Sequence, residues 1–259
     1  MSDALCMECG HASGEPGNNF CPACGQPARA RRIDWHYLSE QVRHGVLNLD
    51  RGLPYSLRNL LLRPGRLMRD YIEGRRARQG RPLPLLLMSA AAVVLAGRFA
   101  VDGDVIGSAV LSGGELAGNP GQVAAIAAQE SADSLLAWAN QHFAGITLLL
   151  LPVEALALRV VFHRIGGLNY PEWLVLTTFV TVQTFLFWMV GLVLQGWWPG
   201  APGWTVLFAI AFQLFSLAQF FASYPWWKTV LRGLLGLGLY FVAQTLITAA
   251  AFVVVARLR

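Results

Sequence analysis

Five stretches of the chain, 83–100, 143–162, 173–195, 204–222 and 231–256, run for 18 to 26 residues with few charges. Each is close to the roughly 20 apolar residues needed to cross a hydrocarbon core. Inside lipid every backbone N–H and C=O must be satisfied within the protein, so segments of this length and spacing are expected to be helices. The fold class that follows is an all-α integral membrane protein with about five transmembrane helices. Composition agrees: 55% of residues are hydrophobic and 14% charged, against about 25% charged in a soluble domain. Disorder and a secreted disulfide scaffold are excluded on the same grounds, since the 4 cysteines all fall within the first 24 positions.

The net charge of +5 is unevenly placed: 13 of the 20 Lys and Arg are arginines between positions 29 and 81. Residues 101–142 carry Asp102, Asp104, Glu115, Glu130 and Asp133 with no Lys or Arg. By the positive-inside rule the N-terminus faces the cytoplasm and the 101–142 loop the exterior. The first 30 residues hold no apolar core of a signal peptide, in keeping with that orientation. Five crossings leave Arg257 and Arg259 outside, which the rule disfavours; a sixth crossing or a re-entrant segment would repair it. Trp197, Trp198, Trp204, Trp226 and Trp227 fall at span ends and read as interfacial anchors. Residues 123–139 form an alanine-rich helix candidate in the external loop.

Ahead of the spans stand Cys6-Met7-Glu8-Cys9-Gly10 and Cys21-Pro22-Ala23-Cys24-Gly25. Two thiolates two residues apart grip one side of a tetrahedral ion, and the glycine after each second cysteine permits the tight turn. The duplicated spacing in a reducing compartment points to a zinc ribbon with Cys6, Cys9, Cys21 and Cys24 as ligands, in preference to disulfides or free thiols. Four cysteines close the coordination sphere, so the zinc is structural. His11 reads as a solvated loop residue.

Asp34 is a candidate N-cap for a helix with Leu38, Val42, Val46 and Leu49 on one face. Pro54 and Pro64 suit first helical turns, predicting short helices over 55–62 and 65–72. Basic amphipathic helices before a span are expected at the interface, with apolar side chains in the lipid boundary and Arg63, Arg66, Arg69, Arg75, Arg76 and Arg78 near anionic headgroups. Nucleic acid is disfavoured as a partner, because the basic stretch abuts a span and lacks interleaved aromatics.

Within the spans, Thr177, Thr181 and Thr184 share a face, Gln213, Ser216 and Gln219 cluster, and Tyr240, Gln244 and Thr248 align. Such faces turn from lipid toward one another, as interhelical glue or as a polar path. Glu154, two residues after Pro152, is the deepest ionisable group, and a carboxyl there is costly. Arg159 is five positions on, so the two do not form an ideal intrahelical pair. Glu154, Thr181, Gln213 and Gln244 make up the candidate intramembrane polar site. Gly233, Gly236 and Gly238 offer close approach to another helix.

The runs Phe20-Cys21-Pro22-Ala23-Cys24-Gly25-Gln26, Leu49-Asp50-Arg51-Gly52, residues 56–65, Asp70-Tyr71-Ile72-Glu73-Gly74-Arg75-Arg76 and Asn169-Tyr170-Pro171-Glu172-Trp173 resemble a bacterial membrane family, domain-of-unknown-function family 3667. The resemblance implies a zinc ribbon, a basic helical segment and several spans in a bacterial inner membrane, and supplies no molecular activity. The expected organisation is a cytoplasmic ribbon over 1–28, a basic surface segment over 29–82 and a transmembrane domain over 83–259. No nucleophile–base pair or open metal site is visible in the sequence. The expected role is a noncatalytic adaptor that engages a cytoplasmic protein or anionic lipid; the alternative is a small transporter, channel or lipid-handling protein with its path around Glu154.

Overall fold

The computed structural model describes residues 5–11, 19–27, 32–43, 52–105 and 137–258, with backbone alone for 41–43 and 251–258. Among them are eight named helices: α1 Trp35–Arg43, α2 Leu53–Leu62, α3 Pro64–Ile72, α4 Pro82–Ala100, α5 Phe143–Val161, α6 Tyr170–Leu194, α7 Ala201–Phe220 and α8 Trp226–Leu258. No strand occurs among the described residues; an isolated bridge pairs Phe20 with Pro27. The chain is an all-α, multi-pass membrane protein: α4 to α8 are each long and apolar enough to cross a bilayer.

The five spans start and stop close to where hydropathy places them, and the differences have a local cause. Helix α6 begins three residues before the apolar run, because Asn169 caps it. The Asn169 side chain accepts from Glu172 N at 2.9 Å and Glu172 Oε2 accepts from Asn169 N at 2.7 Å, a reciprocal capping box with Pro171 in the first turn. Helix α7 likewise starts early, with Pro202 in its first turn. The N-cap expected at Asp34 is present, its Oδ1 accepting from Tyr37 N at 2.7 Å. Val46 and Leu49, Asp50 and Arg51, most of the 123–139 helix candidate, and Arg259 lie outside the described residues.

Helix α6 is the centre of the bundle, with 56% of its most apolar window buried inside the protein, whereas α8 is peripheral at 17%. The core around α6 holds Leu176, Phe179, Val180 and Val182 with Leu85, Leu86, Ala90 and Val93 of α4 and Leu158 of α5. Gly236 of α8 faces Leu158 and Gly233 faces Leu214, so α8 approaches both α5 and α7; nothing lies within 4 Å of where a Cβ on Gly238 would stand. The outer face of α8 leaves Leu231, Leu235, Phe241, Val242 and Leu246 exposed, as a lipid-facing helix should. All five tryptophans at the span ends are at least half exposed.

Helices α4, α6 and α8 begin, and α5 and α7 end, on the side that carries the cysteine segment. Helices α2 and α3 sit on that side against α6 and α7. Their apolar side chains Leu53, Leu60, Leu67, Met68 and Tyr71 join the same core as the spans. The lipid boundary therefore receives only part of this pair, chiefly Leu61 and Leu62, which stay exposed.

Candidate functional site

The candidate metal centre is built by two short turns. Gly10 and Gly25 adopt φ of +71° and +74°, and with no neighbour near either Cα the requirement is purely conformational. Their N–H groups return to the carbonyls of Cys6 and Cys21, both at 2.9 Å. The four sulfurs all lie within 4.8 Å of one another, with Cys6–Cys24 and Cys9–Cys21 both at 3.6 Å. None is disulfide-bonded. A tetrahedron of thiolates with metal–sulfur bonds of about 2.3 Å has edges of about 3.8 Å, so the cysteines fit a metal ion of that size. Backbone amides of Cys9 and Glu8 draw the Cys6 thiol down to about 7 against the opposing effect of burial. Cys24 gains from the Gln26 amide, yet burial and the three other sulfurs push it up to about 12. His11 is exposed and stays outside the set.

The cysteine segment is fastened to the membrane helices at two points. Gln26, 3% exposed, donates through Nε2 to Gly74 O and accepts through Oε1 from Arg76 N at 3.2 Å and Ala77 N at 2.9 Å. One amide thus satisfies three backbone groups in the turn between α3 and α4. Six residues on, Arg32 forms a two-pronged pair with Glu172: Nε to Oε1 at 2.7 Å and Nη2 to Oε2 at 3.0 Å. Nη2 also donates to Gly167 O at 2.7 Å, and Asn169 Nδ2 donates to Ile33 O at 2.8 Å. The hydrogen bond that Arg32 donates to Glu172, and then the charge of that carboxylate, push Arg32 further above its already high range. Neither Gln26 nor Arg32 stands out by residue type alone, although Gln26 closes the run that begins at Phe20 and Glu172, the partner of Arg32, lies in the run Asn169–Trp173.

The six arginines expected at headgroups have different fates. Arg69 donates through Nη2 to the last carbonyls of α7, Gln219 O at 3.2 Å and Phe220 O. Arg75 pairs with Asp70 at 2.6 Å and with Glu73. Arg76 is sandwiched by Tyr37 and Tyr71, whose ring centroids lie 4.6 and 5.2 Å away, and its Nε donates to Tyr71 O at 2.8 Å. Arg78 comes only to 4.0 Å from Glu8. Arg63 and Arg66 are exposed. Burial pushes the Glu8 carboxyl above the usual range, with Arg78 pulling it back.

In the spans, α7 presents one polar row to three elements. Gln213 Nε2 donates to Glu154 Oε1 of α5 at 3.3 Å, Ser216 Oγ reaches Gln183 Oε1 of α6 at 3.2 Å, and Gln219 Oε1 accepts from Gly65 N of α3 at 2.7 Å. Thr181 Oγ1 completes the first group, 3.2 Å from Glu154 Oε2. Three of the four residues in the candidate polar site, Glu154, Thr181 and Gln213, therefore meet. Gln244 is half-buried on α8 and makes no hydrogen bond with them. Arg159 turns instead to the Tyr170 ring, 5.7 Å from its centroid.

Gln183, 1% exposed, is the member that the sequence reading passed over. Its Nε2 donates at 2.9 Å to Leu60 O, one of the last carbonyls of α2. A glutamine in mid-span was the available signal. The last four carbonyls of any helix lack intrahelical partners, and lipid offers no water to replace them. Here Gln183 serves α2, Arg69 serves α7, and Arg232 serves α5 through Val161 O at 3.1 Å.

Residues 50–94, which span α2, α3 and much of α4, match a family described as Protein of unknown function (DUF3667). That segment is similar to this family, in line with the resemblance of the basic segment. No curated protein and no solved structure matches the chain.

Proposed function

We propose that the chain is a noncatalytic adaptor of the bacterial inner membrane, with a structural zinc ribbon on the cytoplasmic side and partners in a cytoplasmic protein and anionic lipid. The observation that carries this reading is the double fastening of the cysteine segment through Gln26 and Arg32. A head held rigidly on the bundle presents a fixed surface, and this one leaves Leu5, Met7 and Phe20 between 58% and 67% exposed. Apolar side chains held out on a small rigid module are characteristic of protein contact surfaces. Four thiolates on one ion leave no open coordination position, so zinc would fold the ribbon and activate no water. A photocrosslinker at Phe20 in native membranes should give a discrete protein adduct that Cys21→Ser abolishes. A wild-type ribbon that gives no adduct, or one indifferent to the cysteines, would overturn the reading.

The buried Glu154–Thr181–Gln213 group supports a second reading, a small transporter with a polar path between α5, α6 and α7. Proteoliposome flux that depends on Glu154 would favour it over the adaptor.

A further inference from the structure

A cleft of about 470 Å3 opens between the first cysteine turn and the α2–α3 pair, with Arg66, Arg69, Arg75 and Arg78 on its walls together with Glu8 and Tyr55. Its level relative to the bilayer follows from Arg69, which is bonded to the final carbonyls of α7. A 20-residue helix of about 30 Å matches the hydrocarbon thickness, so the end of α7 and the cleft beside it lie among headgroups. Asp70, the other acid on the walls, is taken up by Arg75. Arg66 makes no hydrogen bond or ion pair among the described residues, and Arg78 approaches its acid only to 4.0 Å. Two wall residues also hold a buried atom with no hydrogen-bond partner among the described residues, the donor Arg75 Nε and the acceptor Gln79 Oε1. The site thus offers positive charge for a phosphate. From the cleft, α2 leads toward lipid: Tyr55 and Leu62 stand seven residues apart on one helical face, 46% and 63% exposed.

We propose that this cleft holds the phosphate of an anionic phospholipid, the acyl chains running along the exposed face of α2. The proposal rests on the lipid contact proposed above and narrows it from a charged surface to one site; Arg63 and Arg76 take no part. Its test is native mass spectrometry of the full-length protein released from nanodiscs of mixed phosphatidylglycerol and phosphatidylcholine. Wild type should retain one phosphatidylglycerol in preference to phosphatidylcholine. Arg66→Gln with Arg78→Gln should reduce that preference about tenfold or more, while Arg63→Gln, an equally exposed charge outside the cleft, should keep it. Should the double variant fail to fold, Arg66→Gln alone gives the same comparison. An equal loss in Arg63→Gln would leave a charged surface and remove the cleft. No preference in wild type would remove both. Inorganic phosphate that binds delipidated protein and displaces the lipid at millimolar concentration would make the ligand a free phosphate and overturn the lipid assignment.

Discussion

Thr181 has one hydroxyl proton and two acceptors in reach, the carbonyl of Thr177 at 2.9 Å and Glu154 Oε2 at 3.2 Å. If the proton goes to the nearer carbonyl, the Glu154 contact is satisfied by a carboxylic acid donating to Thr181 Oγ1 while Gln213 donates to the other oxygen. Glutamine reproduces that pattern, its amide N–H in place of the acid proton. Glu154→Gln is therefore expected to keep the wild-type melting temperature in detergent, whereas Glu154→Leu leaves Gln213 unpaired and should cost about 1–3 kcal/mol. A Gln variant as unstable as the Leu variant would contradict this bonding scheme. At the candidate metal centre, thiolates would be the ligands, so protons would compete with the ion. With Cys6 near 7 and Cys24 near 12, metal affinity should rise from pH 6 to pH 8 and loading should release protons. A pH-independent affinity in a competition titration would exclude the thiolate set. The four cysteines were legible because metal geometry imposes spacing on sequence. Gln26 and Gln183 were not, because an amide that caps a backbone group leaves no periodic mark; its partner is 48 or 123 positions away.

At the scale of elements, the seat of α3 on α7 depends on the absence of a side chain. A Cβ at Gly65 would overlap the backbone at Gln219 and Phe220, while one at Gly238 would meet open space. Gly65→Ala should lower stability by about 1–3 kcal/mol through overpacking, and Gly238→Ala should not. Paired melting curves decide it; equal behaviour would mean that α3 is free to shift away from α7. The sequence indicated α2 and α3 as helices, through Pro54 and Pro64, and gave their apolar faces. It gave no sign of what covers those faces, since lipid and a neighbouring helix select the same side chains. The Leu60 carbonyl, bonded by Gln183 of α6, and the glycine at 65 settle the matter in three dimensions, because both require a specific neighbour.

For the molecule as a whole, sidedness rests on charge. Reporter fusions after Gln79 should report the cytoplasm and fusions after Gly200 the exterior, and the reverse pattern would overturn the orientation. Span number and order were legible because lipid enforces length and apolarity, while the attachment of the cysteine segment was not, because Arg32 and Glu172 are ordinary polar residues until the fold brings them together. That attachment sets a schedule. The cysteine segment leaves the ribosome before the helices it clasps, but its Gln26 socket is completed only at Ala77 and its Arg32 partner only at Glu172, 140 residues behind. At about 5–20 residues per second the newborn cysteine segment waits roughly 7 to 28 s before the second fastening exists. During that interval it is tethered by the first clasp alone, and the arrival of α6 closes the period.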